Sequence, residues 1–362
     1  MNSPTISVLI DTYNYGQFIE QAVDSVVAQD YPASKVEILV VDDGSTDDTF
    51  ERLAKYSDRI RYLRKSNGGQ ASAFNFGARE SHGDIVAFLD ADDYWLPGKL
   101  RRVIREFETN PDAGMVHHRL LELDTRTGDF REGNFSGLSG DFAASRKSIL
   151  SFEPTPTSSL AFRRCILEKM LPIPETITFQ ADGYILGIAP FLAPVVGIHD
   201  PLAVYRFHGS NLYYLSHTDK EKDRERLARR AAILHYIVEG QKDWFRTHGF
   251  DLGQPVVRTS LCRWISLLEG EGFAVNSPGR LRFVRYLLKT HWNYLPAMTR
   301  RHLVVSCINT FGALFTGYPR YHLLDEWRLR AKRALFGGAS SVTQNREAVL
   351  EKPAPSVTQR QR

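Results

Sequence analysis

Three carboxylates fall within four positions, Asp90, Asp92 and Asp93, directly after the apolar run Ile85 to Leu89. Like charges this close repel, and nothing in a strand's own stability calls for them. A divalent cation would offset that repulsion, and carboxylate oxygens suit hard ions such as Mg²⁺ or Mn²⁺. A solvated acidic turn is the other reading. Two more polar clusters share the same context. Asp11-Thr12-Tyr13-Asn14 follows ISVLI, and Asp42-Asp43-Gly44-Ser45 follows VEILVV.

The elements around these clusters explain why three separate stretches converge. Short β-branched apolar runs at Ile6 to Ile10, Val36 to Val41 and Ile85 to Leu89 predict strands, with a weaker one at Ile60 to Leu63 and a fifth at Ala113 to His117. Between them, apolar residues recur at helical spacing, as in Phe18, Ile19, Ala22, Val23, Val26 and Val27. Ser45 or Thr46 is placed to cap the second helix, and Pro97 to open one that runs to about Asn110. Strands alternating with helices predict an α/β domain with a mainly parallel sheet. Ligands of such sheets lie beyond the carboxyl ends of the strands, which is where all three clusters fall.

The chain has 362 residues, enough for one large core or two domains. Its net charge of +4 hides an asymmetry. Residues 1–218 carry 21 Lys and Arg against 29 Asp and Glu, whereas residues 219–362 carry 25 against 13. Neither G-x-x-x-x-G-K-[ST] nor G-x-G-x-x-G occurs, which argues against a P-loop ATPase or an NAD enzyme. A bound diphosphate would then need a metal to neutralise it. Cys165, Cys262 and Cys307 have no metal-ligand spacing and read as reduced buried thiols of a cytosolic protein. No leader is expected at the N-terminus, and no apolar run reaches the ~18–20 residues of a spanning helix; Leu303 to Tyr318 comes nearest.

Four stretches in fixed order carry a resemblance: SVLIDTYNYGQFIEQAVDSVVAQDYP, VEILVVDDGSTDDT, NGGQASAFNFGA and GDIVAFLDADDYWLPGKL. Together they resemble the inverting GT-A glycosyltransferases of family 2, over roughly residues 4–215. The resemblance implies a Rossmann-like GT-A catalytic domain binding a nucleotide-sugar, with uracil as the expected base. Thr12 and Tyr13 would line the nucleoside pocket, Tyr13 stacking on the base, with Asn14 and Ala91 in the same donor-contact set. Asp43 would bond the base. Asp90 would reach the ribose or the metal, and Asp92 would hold Mn²⁺ or Mg²⁺ on the diphosphate. Two departures stand out: Asp11 occupies a position where the family commonly has proline, and Ala181 replaces the first member of a Glu-Asp pair.

Glycosyl transfer also needs a carboxylate base for the acceptor hydroxyl. Asp182 is the candidate by resemblance, against a local reading as a helix N-cap. In Tyr205 to Asn211, His208 is expected to complete the metal shell and Arg206 to pair with phosphate, against a plain loop after a strand. Asn211 is a further candidate for the acceptor or the diphosphate. Gln70 is a further donor contact or a turn residue, and Arg79 a diphosphate or surface contact. His117-His118 reads as strand-end structure, Trp95 as packing, and Pro154 to Ser159 as acceptor wall or loop.

The expected organisation is a GT-A domain at 1–218, a helical basic accessory region at 219–336 and a disordered tail at 337–362. Residues 219–248 predict a long helix with Leu227, Ala231, Leu234, Ile237 and Val238 on one face, and Arg280 to Trp292 a second amphipathic stretch. The basic region is read as packing on the catalytic domain, as binding an anionic membrane surface, or as nucleic-acid binding, for which no motif speaks. The expected partners are thus a UDP-sugar donor, a saccharide or lipid-linked saccharide acceptor and a membrane surface, with no nucleic acid. The expected location is cytoplasmic, peripheral on the inner face of the membrane. Polysaccharide or glycolipid assembly would suit such an enzyme. A non-catalytic nucleotide-sugar-binding protein acting through its basic helices is the alternative, and a nucleotidyltransferase is disfavoured because Met1 to Asn14 has no Gly-rich basic loop.

Overall fold

The computed structural model describes residues 4–209, 211, 220–276, 285 and 288. The strands are β1 (Ile6–Thr12), β2 (Val36–Asp42), β3 (Arg61–Arg64), β4 (Ile85–Asp90), β5 (Tyr94–Trp95), β6 (Met115–Asp124), β7 (Asp129–Glu132), β8 (Ala161–Arg163) and β9 (Val195–Phe207). The helices are α1 (Gly16–Val27), α2 (Thr49–Leu53), α3 (Gln70–Glu80), α4 (Lys99–Thr109), α5 (Arg146–Ser151), α6 (Arg164–Leu167), α7 (Ala181–Ile188), α8 (Lys220–Thr247) and α9 (Pro255–Asn276).

The sheet runs β3-β2-β1-β4-β8-β6-β9-β5, with β7 on β6. The first four strands are parallel, as are β6 and β9, while β8 and β5 run against their neighbours. Both faces are covered, so the inner strands need apolar residues on each side. Leu9, Val41 and Phe88 face one buried cluster; Val8, Ile10, Val40 and Leu89 face the other. That is why the sequence shows unbroken apolar runs there rather than alternation.

Several local expectations change. The strand expected at Ala113 to His117 extends to Asp124, because β9 supplies a long partner with a register shift at His118 to Leu120. The strand before His208 is the 13-residue β9. Neither Ser45 nor Thr46 caps α2. The Ser45 hydroxyl accepts instead from the Asn14 amide at 2.9 Å, and Asp47 accepts from the Thr49 amide and hydroxyl. Pro97 stays outside α4, whose N-cap is Gly98 in the left-handed region. Cys165 is exposed and Cys262 partly so, not buried; both are free thiols.

The long helix expected at 219–248 is α8. Its Leu234, Ile237, Val238, Trp244 and Phe245, with Val257, Leu261 and Trp264 of α9, belong to the same buried cluster as Leu9 and Phe88. Leu227 and Ala231 are only partly buried. Two glycines of α7 allow this docking: a Cβ on Gly183 would come within 3.1 Å of Ile237, and one on Gly187 would collide with Gln241. Among the described residues no helix is long and apolar enough to cross a membrane. The stretch Arg280 to Trp292 (save Arg285 and Leu288), the run Leu303 to Tyr318 and the tail 337–362 lie outside the described residues.

One glycine fixes how the two halves meet. Gly69 has φ +84°, and a Cβ there would lie 2.5 Å from the Thr178 Cα. Gly69→Ala is therefore expected to destabilise the chain by about 2 kcal/mol or more, from left-handed strain plus a backbone clash. A thermal melt tests this; an unchanged midpoint would contradict it.

Candidate active site

The site opens at the carboxyl ends of β1, β2 and β4. Parallel registers set Asp11 beside Asp90 and Thr12 beside Asp42. A cavity of ≈ 950 Å³ lies over these ends. Its lining includes Asp11, Thr12, Tyr13, Asp43, Gln70, Asp90, Ala91, Asp92, Asp182 and Asn211. Asn14, Arg206 and His208 do not line it. Asn14 instead holds two loops together, its side-chain oxygen accepting from the Thr46 amide at 2.7 Å.

Asp90, Asp92 and Asp93 each offer a ligand atom within 4.8 Å of the others. They are not equivalent. Asp93 is fully buried and both its oxygens are engaged: Ser158 Oγ donates at 2.6 Å and the Arg206 amide at 3.0 Å. Asp93 thus ties the acidic turn to β9 and to the 3-10 turn Thr157–Ser159. Beneath it, the buried Lys99 ammonium donates to the Ser158 carbonyl at 2.5 Å and lies over the Trp95 ring. Trp95 packs, as expected.

Asp92 faces the cavity. His208 Nε2 lies 2.9 Å from its Oδ2, and Asn211 Nδ2 lies 3.4 Å away. The His208 ring sits against Tyr15 and Phe18, which fixes its direction. Arg206 is sandwiched between the Phe18 and Tyr94 rings, its side chain buried under the site rather than facing it.

Burial, and then the neighbouring Asp11, push the Asp90 carboxyl well above the usual carboxylate range. Burial and the charge of Asp92 raise Asp11 to about 7. The extra carboxylate at position 11 therefore makes this corner more acidic, and the pair resists holding two negative charges. Such a donor set fits a divalent cation: the oxygens are hard, clustered and mutually repelling. Asp92 and Asp90 are the residues that would hold it, with His208 beside them.

Asp182 lines the same cavity. It is the second residue of α7, whose N-cap is Gln180, so the N-cap role read from local sequence does not apply. Gln180 itself is left-handed, with φ 61°. A residue held in that region is costly and clusters at functional turns. Burial pushes the Asp182 carboxyl up to about 6, against hydrogen bonds from the Gly183 amide and from the Thr157 amide and hydroxyl.

A hydrogen-bonded chain joins the two sides. Asp43 accepts from Lys65 Nζ at 2.6 Å and from the Gly68 and Gly69 amides. The next residue, Gln70, donates to Asp90 Oδ1 at 3.1 Å and accepts from the Ala181 amide at 2.9 Å. Gln70 is thus a bridge between the acidic corner and the start of α7. Arg79 lies at the far end of α3 over the Phe76 ring, away from the cavity.

Sequence reading missed several lining residues. Tyr15, Gln180, Tyr205, Arg229, Arg263, Trp264 and Leu267 all border the cavity; Pro154 to Thr157, within the stretch read as acceptor wall or loop, border it too. Thr157 and Tyr205 lay in stretches that stood out by composition, but nothing local points to their partners. His117 and His118 are buried strand residues, and His118 also borders the cavity.

If Asp182 must be ionised to act, Thr157 helps to keep it so. Thr157→Val is expected to move the acid limb of the activity–pH profile upward by about one unit, the worth of one hydrogen bond to a charged group. An unmoved limb would contradict this.

Residues 7–170 match the family described as Glycosyl transferase family 2. An uncharacterised glycosyltransferase from a Nostoc strain is 39% identical over 215 residues, 57% of this chain and 66% of that protein. The uncharacterised glycosyltransferase EpsJ of Bacillus subtilis is 36% identical over 110 residues, 30% of this chain and 31% of that one. The match thus spans just under two thirds of the first relative and about a third of the second. Among solved structures, S. aureus TarS 1–349 in complex with UDP-GlcNAc aligns with a TM-score of 0.50 at 21% identity, over 80% of this chain and 89% of that one. The mannosyltransferase PcManGT of Pyrobaculum calidifontis, in complex with GDP-Man and Mn²⁺, aligns at 0.51 and 18% identity, over 93% and 88%. These two share the fold, a GT-A arrangement of a mostly parallel sheet. With its four sequence stretches lying on that sheet around one acidic cavity, the part of the chain that matches glycosyl transferase family 2 is residues 7–170.

Proposed function

We propose that this chain is a metal-dependent, inverting glycosyltransferase that moves a sugar from a nucleoside diphosphate, UDP by preference, to an acceptor hydroxyl. The observation that carries the reading is that Asp90, Asp92 and Asp182 line one cavity, with Gln70 joining Asp90 to the start of α7. The bound sugar nucleotides of TarS and PcManGT support a donor of the same class.

In this reading Tyr13, half exposed at the mouth, stacks on the base and Thr12 borders the nucleoside. Asp43 presents its loop and faces the base. Asp92 and Asp90, with His208 beside them, would hold Mn²⁺ or Mg²⁺, which when bound would neutralise the diphosphate as a Lewis acid. Asp182 takes the proton of the acceptor hydroxyl. As the acceptor oxygen bonds to C1 of the sugar, the bond from C1 to the diphosphate oxygen breaks, and the nucleoside diphosphate leaves. Attack from the face opposite the leaving group inverts the anomeric centre. Arg206 supports the site from beneath, clamped by two rings. The basic helical region suits work at an anionic membrane surface, from the cytoplasmic side.

Incubation with UDP-GlcNAc, UDP-glucose and GDP-mannose, each with Mn²⁺, tests the reading through release of the nucleoside diphosphate. UDP release that stops on chelation supports it. Failure of UDP, GDP and dTDP to bind in the presence of Mn²⁺ would overturn it.

A further inference from the structure

The cavity is electrically divided. Its strand-end wall carries Asp11, Asp43, Asp90 and Asp92, whereas among its described lining residues only Arg229 and Arg263 carry a fixed positive charge. Both come from α8 and α9, beyond the segment that matches the family.

Helix geometry explains how α8 reaches the site. Gly183 of α7 meets Ile237, and Gly187 meets Gln241, so the two helices run in the same direction. Arg229 lies eight residues before Ile237, so it projects ~12 Å past the level of Gly183, beyond the start of α7. The first half of α8 thus overhangs the end of the cavity where Asp182 stands. Arg229 is exposed and pairs with no carboxylate among the described residues. Arg263 is anchored, its Nη2 donating to the Ile149 and Leu150 carbonyls at 3.1 and 3.0 Å. Beside it, buried Trp264 packs against Gly183, and Leu267, 47% exposed, continues the wall.

We propose that Arg229 and Arg263 form an anion subsite for the acceptor, and that the acceptor carries a phosphate-type group near the hydroxyl it presents to Asp182. This rests on the glycosyl-transfer reading for the word acceptor, but the anion subsite itself does not. On the glycosyl-transfer reading the donor's diphosphate is met at the other wall, which leaves the exposed Arg229, with the anchored Arg263 beside it, to face the second substrate. A guanidinium pair suits a phosphate, and Trp264 with Leu267 offers apolar contact for the atoms next to it.

The test is calorimetry on the full chain, with and without saturating UDP and Mn²⁺, using octyl phosphate, glycerol 1-phosphate and neutral octyl β-glucoside as probes. Octyl phosphate is expected to bind at least ten-fold tighter than octyl glucoside. Arg229→Gln, at an exposed position, should erase that gap and leave UDP affinity unchanged; Arg263→Gln should do the same if it folds. Tight binding of glycerol phosphate as well would indicate a soluble phosphate-bearing acceptor, and binding of octyl phosphate alone a lipid phosphate. Equal binding of the phosphate and neutral amphiphiles would overturn the proposal, as would a gap that survives Arg229→Gln. A fall in UDP affinity in that variant would assign the arginines to the donor instead. Absence of UDP binding would sink the glycosyl-transfer reading, while the titrations without UDP would still decide the anion subsite.

Discussion

Asp182→Asn is expected to lower turnover roughly a thousand-fold while UDP binding in Mn²⁺ stays within two-fold of the parent. Asparagine keeps the shape and one oxygen that can accept from the Gly183 amide, but it cannot take a proton. The parent should show its base in the pH profile. With burial holding Asp182 near 6, the ionised fraction falls ten-fold per unit below that value, so rate should rise with pH through about 6 and level off above it. The variant should lose that limb. A non-catalytic binding protein predicts something different: nothing to lose in turnover, and a stability gain from removing a buried carboxylate. Undiminished turnover in Asp182→Asn would end the base assignment.

The fold was largely legible because parallel strands buried on both faces need continuous apolar runs, and those runs announce themselves in Ile6 to Ile10, Val36 to Val41 and Ile85 to Leu89. The acidic corner was legible for a related reason: an abrupt change from five apolar residues to Asp90, Asp92 and Asp93 has no structural cause within a strand. Other parts depend on pairings over long sequence separations. Nothing near Gln70 says that its amide joins Asp90 to Ala181, 111 residues later. Nothing near Ser158 says that it receives the Asp90 amide and serves Asp93. The division of labour within the acidic turn was hidden too. Asp92 and Asp93 are adjacent, and only the fold shows one turned to the cavity while the other is spent on Ser158 and β9.

For α8 and α9 the sequence left packing and membrane binding as alternatives for a similar reason. A basic helix with an apolar stripe reads the same whether the stripe packs on a domain or a membrane. The glycines of α7 decide the matter for α8, since Gly183 and Gly187 leave room only for closely docked helices. In a sequence, a glycine at such a position signals only a lower helix propensity.

Asp92→Asn should separate function from stability most sharply. The asparagine retains an oxygen to accept from His208 or Asn211, so local packing is preserved. It removes one negative charge from a cluster in which Asp90, Asp93 and Asp11 are each pushed above their ordinary range in part by Asp92 itself. Without metal, the variant should therefore melt no lower than the parent and is expected to melt higher, since a repulsion has been relieved. With Mn²⁺ and UDP the order should reverse. Removing a residue that merely orients a metal ligand typically costs 10–100-fold in affinity, so losing a carboxylate that holds the metal should weaken Mn²⁺-dependent UDP binding by roughly a hundred-fold or more. The parent should then gain a ligand-induced rise in melting temperature that the variant lacks. Two melting curves per protein, with and without Mn²⁺ and UDP, suffice. A variant that keeps its ligand-induced shift would remove Asp92 from the metal site. One that melts lower than the parent without ligand would mean that the charge at position 92 is held for the fold, through His208, rather than for a cation.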